Sequence, residues 1–300
     1  MSRTKPRVAF QGEKGAFSQQ AVRQLLGDRT EVVPCKRFEE VFTRMRDKDV
    51  AAAVIPIENT LAGSVHENYD HLVHFNLEIC GETNVRIGHN LIAAPGVRFR
   101  DIRRVFSHPV ALNQCLDFFA RNPKIEKEPF YDTAGSVKMV LEEGLADAAA
   151  IGSAVAAEIY GGRILRRSVE DDRRNFTRFF LLRRPEDARR HRPEDARRHR
   201  LTDARRNRPA GSSGTEWKMT LVFSTRNIPG SLFRALSAFA LRDINLAKIE
   251  SRPLRGRPWE YMFYLDLLGR TDEVRVQKAL GHLEELADFL RVLGCYPKGD

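Results

Sequence analysis

A chain of 300 residues with 42% hydrophobic and 30% charged residues has material for about two domains, and no apolar run approaches the roughly 20 residues that span a bilayer. The four cysteines, Cys35, Cys80, Cys115 and Cys295, form no CxxC pair, so neither a metal site nor a disulfide framework is expected. Lys and Arg exceed Asp and Glu by 50 to 40, a net +10, but the eleven Arg and five acids between Arg183 and Arg208 supply +6 of it, which argues against a chain-wide nucleic-acid surface.

The N-terminus, MSRTKPRVAF, runs into a strand-like segment with no apolar leader behind its basic residues, and the chain therefore reads as cytoplasmic. A strand is predicted over Arg7–Gln11 and a helix over Phe17–Leu26, with Phe17, Ala21 and Leu25 on one face. Between them Gly12, Gly15 and Ser18 form a GxxGxxS loop, whose glycines either permit close backbone approach to an anion at the free N–H groups of the following helix or simply make a tight structural turn. Further along, Glu31–Cys35 reads as a strand, Phe38–Met45 as a helix and Ala51–Ile55 as a buried strand. This last strand is expected to end at Pro56 and to deliver Glu58, Asn59 and Thr60 to a loop, where they either meet a polar ligand or cap the next helix. A strand over Arg104–Phe106 and helices over Ala111–Phe119 and Val137–Leu141 continue the alternation, which implies an α/β fold with largely parallel sheets. In Arg174–Leu182 an apolar strand carries Thr177 and Arg178 among aromatic residues; such an arginine pairs with a carboxylate ligand or with a nearby acid.

From Arg184 an eight-residue unit, RPEDARRH, repeats and then degenerates, and Pro209–Gly214 follows it. With so little apolar content the segment 184–214 reads as a linker. A nucleic-acid role for it is disfavoured by its interleaved acids and its lack of aromatic residues. Beyond it the predicted order is strand Trp217–Ser224, helix Pro229–Leu241, strands Leu246–Arg252 and Glu260–Leu267, helix Glu273–Leu286 and strand Phe289–Leu293. That is βαββαβ, the ferredoxin-like order.

Taken together these motifs resemble the prephenate dehydratase family. The resemblance lies in the GxxGxxS loop, IPIENTLAGSV from Ile55, SHPVALNQC from Ser107, YDTA from Tyr131, AAEIYG from Ala156 and NFTRF from Asn175. It continues in IPGSL from Ile228 and IESRP from Ile249, which look like a regulatory ACT domain. It implies a two-lobed, periplasmic-binding-protein-like α/β catalytic domain over residues 6–183, the linker, and an ACT domain over 215–297. The reaction implied is loss of carbon dioxide and water from prephenate to give phenylpyruvate, with no cofactor and no metal. Thr177 matches the family's essential threonine and would assist the departing hydroxyl, while Arg178 would bind a substrate carboxylate or orient Thr177. Asn59, Thr60, Glu58, Ser18, Thr133, Asn175, Phe179 and the backbone near Gly15 and Ala134 would hold the substrate.

The family also binds phenylalanine where two ACT domains meet, which implies a homodimer or homotetramer. The matching residues are Gly230, Ser231 and Leu232, with Asn245, Leu246 and the stretch Glu250, Ser251, Arg252 and Pro253. Three positions depart from the family's common pattern: Thr60 stands for serine, Val110 for glutamine and Ser231 for alanine. Arogenate dehydratase, the same chemistry on the aminated substrate, and a catalytically silent amino-acid sensor are the alternatives.

Overall fold

The computed structural model describes residues 5–190, 216–254, 256–257 and 259–299. They fall into two compact units, one built from Met1–His71 and Thr83–Leu181, the other from Leu72–Glu82 and Leu182–Asp300.

Two sheets carry the catalytic part. The first contains β1 (Arg7–Gln11), β2 (Glu31–Cys35), β3 (Ala52–Asn59), β4 (Gly63–Ser64), β5 (Glu78–Arg86) and β11 (Phe176–Arg183), in the order β2-β1-β3-β11-β5 with β4 on β3. Helices α1 (Phe17–Leu26), α2 (Phe38–Arg46) and α3 (His66–His74) belong to this lobe. The second sheet contains β6 (Asn90–Ala93), β7 (Arg104–Ser107), β8 (Glu126–Pro129), β9 (Ala148–Gly152) and β10 (Arg163–Arg166), ordered β10-β6-β9-β7-β8. Its helices are α4 (Pro109–Asn113), α5 (Leu116–Ala120), α6 (Thr133–Glu142) and α7 (Ala154–Tyr160). The chain crosses between lobes twice, at 87–89 and 167–175. Backbone bonds stitch these crossovers together, Ile87 N to Asn175 O at 2.8 Å and Val169 N to His89 O at 2.9 Å.

Three expectations are corrected. The strand at Ala52 does not end at Pro56 but runs to Asn59. Its register with β1 stops at Val54, and β4 pairs only from Glu58 onward, so the missing N–H of Pro56 interrupts neither ladder. The helix expected over Ala111–Phe119 is two short helices broken at Gln114 and Cys115. The second sheet is mixed rather than largely parallel, since β6 runs antiparallel to both β9 and β10.

The other unit carries β12 (Trp217–Ser224), α9 (Ser231–Ala240), β13 (Leu246–Pro253), β14 (Tyr261–Leu268), α10 (Val274–Leu286) and β15 (Phe289–Pro297). Its sheet is antiparallel in the order β13-β14-β12-β15, the βαββαβ fold expected. Met219, Leu221 and Phe223 of β12 form a core with Phe239 of α9 and Val276 and Leu283 of α10. Alternation along β12 sends Lys218 and Thr220 to the opposite face, where Thr220 Oγ1 donates to Asp266 Oδ1 at 2.6 Å. On the same strand Lys218 Nζ lies 2.7 Å from the buried carboxylate of Glu82. The first residues of the expected linker, Pro185–Arg190, form a helix, α8, with proline at the first position, where its missing N–H costs nothing, acids in the first turn and Ala and Arg after them. The rest of that linker, 191–214, lies outside the described residues.

Candidate active site

The end of β3 and the start of β11 meet in a network whose direction is set by backbone. Asn59 Oδ1 accepts from the N–H groups of Leu61 at 3.0 Å and Ala62 at 2.8 Å, an Asx turn. Its nitrogen must therefore face the other way. It donates to Asn175 Oδ1 at 2.7 Å, Thr177 Oγ1 at 2.9 Å and Phe176 O at 3.1 Å. With its oxygen so occupied, Asn175 turns its own nitrogen to Gln114 Oε1 at 2.9 Å. The same Gln114 oxygen lies 3.0 Å from His89 Nε2. A carboxamide oxygen only accepts, so Nε2 carries a proton. The other ring nitrogen, Nδ1, is buried without a hydrogen-bond partner among the described residues. Burial holds the imidazole below its usual pKa, against the opposing pull of Gln114 and of Glu170, whose carboxylate accepts from His89 N and pairs with Arg86.

Thr177 is 9% exposed. Among the described residues its hydroxyl accepts from Asn59 and meets no protein acceptor, which leaves its proton available. Thr60 is held differently, for its hydroxyl donates to Arg174 O and accepts from Phe176 N, tying the loop after β3 to β11. The structure separates Arg178 from Thr177: alternation sends it to the opposite face of β11, where its guanidinium lies 4.8 Å over the Phe180 ring. Phe179, on the face of Thr177, is 2% exposed and belongs to the core. Glu58 likewise points away from Asn59, and pairs in register with Ser64 on β4.

A second cluster surrounds the glycine loop. Gly15 N, expected to face a ligand, donates instead to Gln19 Oε1 at 2.7 Å, and its carbonyl accepts from Ser153 at 2.6 Å. A Cβ on Gly15 would stand 2.6 Å from the Ala156 backbone, and its φ is +90°, so the glycine serves the contact between loop and α7. Asp132 caps α6 through Gly135 N at 2.7 Å and also faces Glu13 N at 3.5 Å, and burial raises its pKa. Thr133 is half-buried in the first turn of α6, with Ala134 and Ser18 buried. Phe17, at the start of α1, sets its ring edge-on to His89, the centroids 5.9 Å apart, and so joins this cluster to the first.

Sequence reasoning thus placed Asn59, Asn175 and Thr177 in one site but missed Gln114, His89 and Glu170. Gln114 sat inside what reads as an unbroken helix, and His89 and Glu170 lie in segments with no periodic signal. In the other unit a cavity of about 260 Å³ is lined by Asn227, Gly230, Ser231, Leu232, Tyr261 and Phe263, among others. Of the residues expected to hold an effector, Gly230, Ser231 and Leu232 line this cavity, while Asn245, Leu246 and Glu250, Ser251, Arg252 and Pro253 do not. Leu246 packs against the core of this unit, and the 250–253 stretch pairs with β14 opposite Tyr264 to Tyr261.

The family model for prephenate dehydratase matches residues 8–187 and that for the ACT domain matches 219–285. The Arabidopsis thaliana protein named arogenate dehydratase/prephenate dehydratase 2, chloroplastic, is 42% identical over 97% of this chain and 72% of its own length. Among solved structures, a prephenate dehydratase from Arthrobacter aurescens in complex with L-Phe superposes with a TM-score of 0.82 at 29% identity, covering 97% of this chain and 90% of that one. GqqA, described as a novel type of quorum quenching acylase, superposes with a TM-score of 0.81 at 32% identity over 97% and 98% of the two chains. The expectation of a cytoplasmic protein is corrected here, because this and other Arabidopsis relatives are named as chloroplastic enzymes.

Proposed function

This chain belongs to the prephenate dehydratase family and is a carbon–oxygen lyase carrying an ACT domain, and from that premise we propose that it converts prephenate to phenylpyruvate. The observation that carries the reading is the Thr177 hydroxyl, which has a donor on its oxygen and no protein acceptor for its proton among the described residues. Loss of the ring carboxylate as carbon dioxide leaves an electron pair that forms the new ring double bond as the C–O bond breaks. Hydroxide is a poor leaving group, and a hydrogen bond from Thr177 stabilises the charge growing on it. Threonine is far too weak an acid to ionise at neutral pH, so it donates within the transition state and solvent supplies the final proton. Asn59 and Asn175 hold Thr177 in place, and Ser18, Thr133 and the first turn of α6 are the proposed substrate contacts from the second cluster. Arg178 is proposed to act from the opposite face of β11, as a brace for the strand. Aromatisation supplies the driving force, and the proposed reaction needs no cofactor.

The domain limits proposed are 6–183 for catalysis and 215–297 for regulation, which the matched spans support. L-phenylalanine is the proposed effector, bound in the cavity beside Gly230, Ser231 and Leu232, as the Arthrobacter complex supports. Phe233 and Ile228 at its rim are 76% and 52% exposed, which supports closure by a second copy in a homodimer or homotetramer. Arogenate dehydratase is the second reading, favoured by the names of the plant relatives. Phenylpyruvate formation from prephenate and phenylalanine formation from arogenate, measured in parallel, separate the two. Thr177→Ala should lower kcat about 100-fold or more with substrate binding retained; unchanged turnover would refute the role of Thr177.

A further inference from the structure

The row from Asn59 through Asn175 and Gln114 to His89 has a fixed polarity. At one end the Leu61 and Ala62 N–H groups hold the Asn59 oxygen. Each carboxamide beyond it then has one allowed flip, because inverting any member would set two donors or two acceptors face to face. At the other end His89 must present a proton from Nε2 to Gln114. The tautomer with its proton on Nδ1 would place the Nε2 lone pair against Gln114 Oε1. That accounts for an imidazole only 2% exposed whose Nδ1 is buried without a partner among the described residues.

Gln114 is the member of this row that comes from the second lobe, at the break between α4 and α5. It touches both crossovers: His89 in the first, Asn175 in the second, and Asp171, whose N–H donates to Gln114 O at 2.8 Å. A continuous helix over this stretch would tie up the Gln114 backbone and turn its side chain elsewhere, so the break is what brings the residue to the network.

We propose that Gln114 and His89 are positioning residues for the lyase reaction, holding the Asn175 carboxamide so that Asn59 keeps its N–H on Thr177 and Thr177 keeps its proton for the departing hydroxyl. The proposal rests on reading Thr177 as the donor. A threonine hydroxyl has one proton and accepts on its lone pairs. If Asn175 turned over, its NH₂ would face the NH₂ of Asn59, whose oxygen Leu61 and Ala62 hold in place, and the two donors would push apart. The Asn59 N–H would then be drawn off the Thr177 oxygen, and the orientation that keeps the Thr177 proton for the departing hydroxyl would be lost.

Two measurements test this. Nitrogen-15 NMR of the full chain with labelled histidine reads the tautomer directly, the His89 signals being identified among the eight histidines by their absence in His89→Gln. A protonated Nε2 with a bare Nδ1 is expected; the opposite tautomer overturns the proposal, and this reading needs no catalytic-site variant beyond the assignment control. In steady-state kinetics, Gln114→Leu and His89→Leu should each lower kcat by up to about 100-fold while KM for prephenate changes little. Because a glutamine side chain can place an N–H near the position of Nε2–H, His89→Gln should recover much of what His89→Leu loses. Full activity in both leucine variants, with Thr177→Ala inactive, would overturn the positioning role and leave that of Thr177 standing. Activity in Thr177→Ala itself would remove the reading beneath.

Discussion

At the scale of single residues, the site depends on which atoms are left without partners. Thr177 keeps a proton that no described protein group takes, and His89 keeps a bare nitrogen. The second has a consequence for stability. Because burial depresses the His89 pKa below its ordinary 6.5, the unfolded chain takes up the proton first as the pH falls. The associated stability is thus present above about 6.5 and is lost as the pH drops toward the depressed folded value. Gln114 and the Phe17 ring edge face the imidazole, while the Glu170 carboxylate, itself paired with Arg86, lies against its backbone side and opposes the shift without cancelling it. His108 is shifted the same way by burial and adds its own part. Denaturant midpoints taken between about pH 7.5 and 5.5 should therefore decline for the parent chain and decline less for His89→Gln. Equal slopes would show that His89 is already solvated or charged. Thr177 and Asn59 were legible in the sequence because each sits in a distinctive short motif. His89 carries no such mark; its importance arises only from what the fold sets around it.

Elements were legible where their period was clean. Strand β1 and helix α1 have the predicted limits, Arg7–Gln11 and Phe17–Leu26, and so does β12 at Trp217–Ser224. The failures share a cause, in that tertiary partners overrode a local signal. Proline ends a strand when its N–H is needed, and at Pro56 neither the β1 nor the β4 ladder needs it. The apolar periodicity across Ala111–Phe119 predicts one helix, yet Asp171 Oδ2 and Oδ1 accept from the N–H groups of Leu116 and Asp117 and so start a second one. Small residues are informative in the same way. The loop from Gly12 to Ser18 suggested an anion cradle, whereas the structure uses Gly15 as a spacer against Ala156. Gly15→Ala should then force loop and α7 apart, since both the 2.6 Å approach to backbone and the positive φ oppose a Cβ. The expected result is a loss of about 1–3 kcal/mol in stability, with turnover reduced as Phe17 and Ser18 shift. A variant with parental melting temperature and kcat would contradict that account.

For the whole molecule, the division of the chain does not follow sequence order. Residues 72–82 lie between two segments of the catalytic unit in sequence, yet they pack with the ACT-domain sheet. Arg291 of β15 donates to Val73 O and Phe75 O, and Gly294 approaches so closely that a Cβ there would collide with the backbone of Ile79. Nothing in the sequence of this stretch reports such an arrangement, because its partners on that sheet are more than 130 positions away. Its electrostatic part is the pair Lys218 and Glu82, with side chains 10% and 1% exposed. Two charges so buried gain most of their worth from each other, and removing either strands the one that remains. Lys218→Met and Glu82→Leu should each cost about 3–5 kcal/mol, while the double variant should lose much less than their sum. Some loss will persist in the double variant, because Glu82 also accepts from Gly299 N at 3.0 Å and that N–H would be left without it. A double-mutant cycle by thermal denaturation measures the coupling directly. Simple additivity would mean that water already screens the pair, and that the packing of Gly294 on Ile79 holds this segment to the sheet without help from charge.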